Sequence, residues 1–149
     1  MNAIRIQTEP FDIRAEQEAL FQDNPRVGAL VTFVGLMRDL NEGVGVARMM
    51  LEHYPGMTEK ALSALVAEAG ERWDLEGIRL VHRVGTLEPL DPIVFVGVVS
   101  QHRGDSFRAC EFLIDALKTR APFWKKELTE TGERWVEERA TDLEAARRW

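Results

Sequence analysis

Runs of β-branched residues interleave with stretches of helical spacing, and a tight turn joins two of those runs. Together they predict an α+β fold, with mostly antiparallel strands and helices packed against them. The chain has 149 residues, 45% of them hydrophobic and 30% charged, a balance that suits one compact domain over 1–149. No repeat, low-complexity tract or linker divides it.

Taken in order, the N-terminal segment reads as a strand near 3–7 and a helix near 14–22. "GALVTFVG" (28–35) is almost wholly apolar and bounded by glycines, which marks a buried strand, and "VARMMLEH" (46–53) reads as a second. Between them, "LMRDLNEGVG" has few anchoring apolar residues and reads as a long, mobile hairpin loop with Arg38 at its base. After the "YPGM" turn, Leu62, Leu65, Val66, Ala69 and Trp73 recur on one helical face, with a cap near Thr58. "IRLVHRVG" (78–85) and "PIVFVGVVSQHR" (92–103) are two further strands joined through Glu88–Asp91. A helix capped at Asp105 or Ser106 then runs to Ala121, because Pro122 disfavours helical geometry in the residue before it. Beyond Pro122 the spacing predicts a break or a fresh helical start.

Composition excludes several classes of function. A formal net charge of -6 argues against a general nucleic-acid binder, which needs a broad basic face. No stretch approaches the ~18 apolar residues of a membrane span and the first residues carry no leader pattern, so the expected location is cytoplasmic. One cysteine, Cys110, allows no internal disulfide, and its place on an apolar helical arc suits an inert core thiol. His53, His82 and His102 share no ligand spacing, so no metal is expected, and no phosphate loop or nucleophilic triad is present. His82, within a strand, reads as packed or hydrogen-bonded. His102 and Arg103, at a strand end, are better placed to enter a cleft.

Against that acidic background, "LKTRAPFWKKE" (117–127) gathers Lys118, Arg120, Lys125 and Lys126 around a single acid. Lys118 falls at the edge of the arc formed by Phe107, Cys110, Leu113, Ile114 and Leu117, with Asp115 three residues before it as a candidate ion-pair partner. If Lys118 and Lys125 converge, each lowers the other's pKa and one becomes a usable acid, base or nucleophile. Spacing alone leaves open a solvated basic patch at a helix end.

"VTFVGLMR", "LEHYPGMTEKAL", "VHRVG", "VFVGVVSQHR", "LIDALKTRAPFWKKE" and "GERWVE", in this order from about residue 28 to the C-terminus, resemble the catalytic (large) subunit of molybdopterin synthase. The resemblance implies an α/β hammerhead fold and a homodimer. Each end of the dimer would bind a small ubiquitin-like sulfur-carrier subunit, giving a heterotetramer. It also implies transfer of two sulfurs from the carrier's thiocarboxylated Gly-Gly tail to cyclic pyranopterin monophosphate (precursor Z), with no metal or cofactor.

Residue by residue, the resemblance makes Lys118 the catalytic lysine, Lys125 its companion and Arg38 the substrate-loop arginine. His102 and Arg103 match an anion-binding pair of the neighbouring protomer's site. Leu36, Met37, Lys126 and Glu127 fall in substrate-lining segments, and Arg139 matches a further arginine near the pocket. Trp124, Trp135 and Trp149 are candidates for the carrier surface, with core or dimer packing the expectation for the first two. The turn at Leu90-Asp91-Pro92 departs from the family's glycine followed by an acid, the 39–45 loop matches loosely, and residues 1–27 match weakly. From the residues themselves two other readings stand: a Schiff-base lysine enzyme built on Lys118, and a non-catalytic anion-binding or adaptor module.

Overall fold

The computed structural model describes residues 2–136 and 140–149. Its first sheet holds β1 (Asn2–Gln7), β5 (Gly77–Arg83), β7 (Pro92–Ser100) and β2 (Ala29–Leu36), in the order β1-β5-β7-β2. β1 runs parallel to β5, and the other two pairings are antiparallel. Because side chains alternate along a strand, Val94, Val96 and Val98 face one side of β7 while Phe95 and Val99 face the other, and all five are buried.

The valine side is covered by α2 (Met57–Arg72) and α3 (Arg103–Arg120), through Leu62, Leu65, Leu113 and Leu117. The opposite side is covered by α1 (Ile13–Phe21), whose Leu20 meets Val81, Phe95 and Val99. A Cβ on Gly97 would lie 2.4 Å from Leu20 Cδ1, so the close approach of α1 to β7 requires a residue with no side chain there. Asp12 caps α1 by accepting from the Ala15 N–H at 3.1 Å. Gly56, with φ 88°, is the N-cap of α2, and the Thr58 hydroxyl closes the preceding turn by donating to the Tyr54 carbonyl at 2.8 Å. The cap expected near Thr58 therefore lies two residues earlier.

A second sheet is centred on β4 (Val44–His53). It pairs with β8 (Phe123–Thr129) on one edge and β6 (Gly85–Leu87) on the other, with β9 (Gly132–Val136) beyond β8 and β3 (Leu40–Asn41) against the start of β4. Met37, Met49, Leu51, Val84 and Leu87 fill the seam between the two sheets. α4 (Ala140–Ala146) follows, and Trp149 closes over Trp73 and Phe112. No described helix is long and apolar enough to cross a membrane.

The α+β class and the mostly antiparallel pairing are as the sequence predicts. Three further local expectations are corrected. β2 and β4 lie in different sheets, so 36–45 is a sheet-to-sheet crossing with its own small hairpin, turning at Glu42 (φ 53°) and Gly43 (φ 78°). α3 begins at Arg103 after His102, and Ser106 is buried against Ser100 instead of capping. The residues after Pro122 form a strand: Ala121 takes the extended geometry (φ -93°, ψ 140°) that proline imposes on its predecessor, and β8 finds a ladder waiting on β4.

Candidate active site

The bend at Ala121–Pro122 builds the site. Lys118 occupies the last turn of α3, anchored by buried Leu113 and Leu117, and Lys125 is the third residue of β8, opposite Leu51. The chain reverses between them, so both side chains line one cleft. Its inner part, about 110 Å³, runs between Leu51, His82, Leu117 and Phe123. The outer part, about 270 Å³, is bounded by Leu36, Met37, Arg38, Asn41 and Glu127. Lys118, Lys125 and Asp142 line both. Arg38 also borders an open groove of about 650 Å³ running toward Pro89 and Leu90.

The crossing segment that carries Arg38 is tied down at both ends. Met37 donates its N–H to the Asp91 carbonyl at 3.0 Å and accepts from the Leu90 N–H at 2.8 Å. At the other end, the Asn41 side-chain amide donates to both oxygens of buried Glu127, at 3.2 and 3.1 Å. Arg134 of β9 donates to Glu127 at 3.0 Å and to the Asn41 carbonyl at 3.2 Å. Glu127 is thus a buried carboxylate satisfied by a cation and an amide, which joins the loop to the strand bearing Lys125.

His82 lies at the inner end. Its ring stacks on Phe123 with centroids 4.0 Å apart and planes 15° off parallel. Nδ1 is 2.8 Å from the Arg83 carbonyl oxygen. Burial, reinforced by the nearby positive charges of Lys118, His53 and Lys125 and only partly offset by that hydrogen bond, pushes its pKa down to about 4. At neutral pH it is an uncharged imidazole. Cys110, by contrast, is outside the cleft, and burial pushes its thiol up to about 12, so it is the inert core thiol expected.

Of the residues singled out from the sequence, Leu36, Met37, Arg38, Lys118, Lys125 and Glu127 meet at this cleft. Lys126 does not. Strand alternation sends it to the outer face of β8, with Nζ 4.7 Å from the Trp135 ring centre and 3.4 Å from Glu133. His102 and Arg103 sit at the opposite end of α3, about 22 Å along the helix from Lys118. Within one protomer they do not reach the cleft. Arg139 lies outside the described residues. Asp115, the candidate partner of Lys118, takes Arg148 and the Trp149 indole instead, at 2.8 and 2.7 Å. Trp135 is exposed on the outer sheet face and not part of this chain's core, and Trp124 is half-buried, donating to Glu52 at 3.0 Å.

Sequence reasoning did not select three polar lining residues: His82, Asn41 and Asp142. A histidine directly following the apolar pair Leu80-Val81 within a strand was the signal for His82; nothing local marked the other two. Among the described residues, no three His, Cys, Asp or Glu side chains gather as metal ligands would.

Comparison with known proteins bears on this arrangement. A Pseudomonas aeruginosa protein named molybdopterin synthase catalytic subunit is 57% identical, the match covering 99% of this chain and 98% of that one. A family model described as MoaE protein matches residues 6–120. The chain belongs to the MoaE family of molybdopterin synthase catalytic subunits. It is accordingly an enzyme of molybdopterin biosynthesis, within the formation of the molybdenum cofactor. A solved structure of the molybdopterin biosynthesis MoaE protein from Burkholderia ambifaria superposes with a TM-score of 0.85 at 59% identity, covering 100% of this chain and 98% of that one. A complex of subunits 1 and 2 of molybdopterin-converting factor from Helicobacter pylori shares the fold, with a TM-score of 0.75 at 18% identity over 91% of each chain. In this MoaE chain Leu90, a residue other than glycine, holds the left-handed conformation (φ 73°), and its N–H fastens Met37.

Proposed function

We propose that this chain transfers two sulfurs to cyclic pyranopterin monophosphate, from the thiocarboxylated C-terminal tail of a small ubiquitin-like carrier, to form the dithiolene of molybdopterin. The observation that carries the reading is the convergence of Lys118, Lys125 and Arg38, from a helix, a strand and a crossing loop, on one cleft in an otherwise acidic chain. Both reactants are anions. Cations fixed in a walled cleft draw them together and stabilise the charge that builds as sulfur attacks carbon.

The narrow, apolar inner part suits an extended glycine tail, and the wider outer part, with Arg38 and Asn41, suits the pterin phosphate. In each round the thiocarboxylate sulfur replaces an oxygen on a side-chain carbon of the pterin: the carbon–sulfur bond forms as that carbon–oxygen bond breaks, and its oxygen leaves as a phosphate oxygen or as water. A second water then cleaves the acyl–sulfur bond, releasing the carrier as a carboxylate. Lys118 is the residue placed to move protons in these steps, with Lys125 as its companion. Cys110, buried and protonated, does not carry the sulfur. The Helicobacter pylori complex of two subunits supports a small-subunit partner here.

In the proposed assembly the chain is a homodimer with a carrier at each end, and His102 and Arg103 serve the neighbouring protomer's cleft. The test is to mix the purified chain with thiocarboxylated carrier and precursor Z and to assay dithiolene. Lys118→Ala should lower conversion at least about a hundredfold while dimer and carrier binding persist. Unchanged conversion by that variant would overturn the reading and favour a binding module.

A further inference from the structure

β2 pairs with β7 on one side and with no described strand on the other. Open sheet edges are normally blunted by shortness, charge or proline. The other edges among the described strands conform: β3 and β6 have two and three residues, β1 carries Arg5, and β9 carries Glu133 and Arg134. β2 has eight residues, ALVTFVGL, with neither charge nor proline. Its backbone direction follows from Phe33 and Val96, which are register partners. The Cys110 thiol donates to the Val96 carbonyl at 3.7 Å and meets the Phe33 N–H, so both backbone groups point into the space between β2 and β7. By alternation, Leu30, Thr32 and Val34 turn their N–H and C=O groups outward. Apolar surface continues beside this edge. Phe33, 36% exposed, lies on the side of the sheet that α3 covers, and Phe107 of α3, 59% exposed, shares a helical face with Cys110 and Ile114.

We propose that the open edge of β2 pairs with β2 of a second copy of this chain, antiparallel about a two-fold axis at Phe33, joining the two first sheets into one. Identical antiparallel strands are self-complementary, so a single surface supplies both halves of a closed dimer. The outward groups meet when Thr32 faces the partner's Val34 and Leu30 faces the partner's Leu36. That register sets Phe33 against its own copy as a cross-strand aromatic pair, with Phe107 of each α3 beside it. The pairing also completes the cleft. Ala29, at one end of β2, accepts from Ser106 in the first turn of α3 at 3.5 Å, whereas Leu36, at the other end, borders the cleft. The strand between them spans about 24 Å, close to the length of α3 from Arg103 to Lys118. A two-fold that reverses β2 exchanges these ends, so the partner's Arg103 arrives at the mouth of this chain's cleft.

This inference rests on the proposed assembly for its functional meaning, but its decisive measurements do not require turnover. The full chain, without carrier, should have the mass of a dimer by light scattering. Its Leu30, Thr32 and Val34 amides, which face away from β7, should be protected from hydrogen exchange. A residue on a two-fold axis meets itself, so Phe33→Lys and Phe33→Glu should each repel their own copy and run as folded monomers. In each monomer those three amides should exchange at least about tenfold faster, while the amides of β7 stay protected. An equal mixture of the two variants should form a dimer with one chain of each, because unlike charges then oppose one another. A monomeric parent, unprotected Leu30, Thr32 and Val34 amides in the parent, or variants that dimerise as tightly as the parent overturns the proposal. Protection that appears only when carrier is added gives the edge to the carrier and overturns it equally. A parent dimer with protected β2 amides that forms no dithiolene would instead overturn the sulfur-transfer reading alone.

Discussion

Leu90 and His82 show how single residues are constrained by their surroundings. Leu90 holds φ 73° with its side chain in solvent, so the left-handed backbone strain is not offset by burial. Leu90→Gly should stabilise the fold by about 0.5–1 kcal/mol, read as a rise in thermal midpoint. His82 makes stability depend on pH. Its folded pKa, about 4, lies below the ordinary 6.5, so the unfolded chain binds the proton more readily. Stability is full above about pH 6.5, and falls as pH drops through the window down to about 4, by roughly 2–4 kcal/mol. Denaturant titrations at pH 7 and pH 4.5 should show that loss in the parent and a smaller loss in His82→Phe.

Each cationic element of the cleft is held by a different kind of contact. α3 is held by apolar burial along one face and β8 by its ladder to β4, but the Arg38 segment depends on polar ties, chiefly the Asn41–Glu127–Arg134 cluster. Glu127, on the cleft wall, ties the Arg38 segment to β8 through this cluster. Asn41→Ala removes two hydrogen bonds to a buried carboxylate and should cost about 1.5 kcal/mol. Backbone hydrogen exchange should accelerate in 38–45 and remain unchanged in β7, and KM for the pterin should rise more than kcat falls. Uniform acceleration across the chain would mean that the cluster supports the whole fold and not the loop.

For the molecule as a whole, the two sheets meet at a seam of Met37, Met49, Leu51 and Leu87, and the cleft opens beside that seam, where side chains from both sheets and from the end of α3 face one another. His102 and Arg103 are about 22 Å away along α3. If they serve a partner's cleft, Lys118→Ala and Arg103→Ala chains, each inactive alone, should regain dithiolene formation when refolded together. One of the two clefts in a mixed dimer then has both residues intact. Failure of the mixture, with mixed dimers demonstrated by mass, would place Arg103 outside the reacting assembly.

Local spacing determined α1, α2 and α3, the strands β1, β2, β4, β5 and β7, the buried cysteine and the cationic run, because each reflects which face of its own element is buried. The ordered match of motifs also marked Lys118, Lys125 and Arg38. Tertiary structure alone decided that "FWKKE" is a strand, since its ladder partner lies some seventy residues earlier in β4. That pairing turns Lys125 and Glu127 inward and Lys126 outward. It also decided that His82, Asn41 and Asp142 join the cleft, and that β2 and β4 part into different sheets. Periodicity records the burial of one element at a time, whereas a cleft is made where several elements meet, and that meeting is set by long-range packing between them.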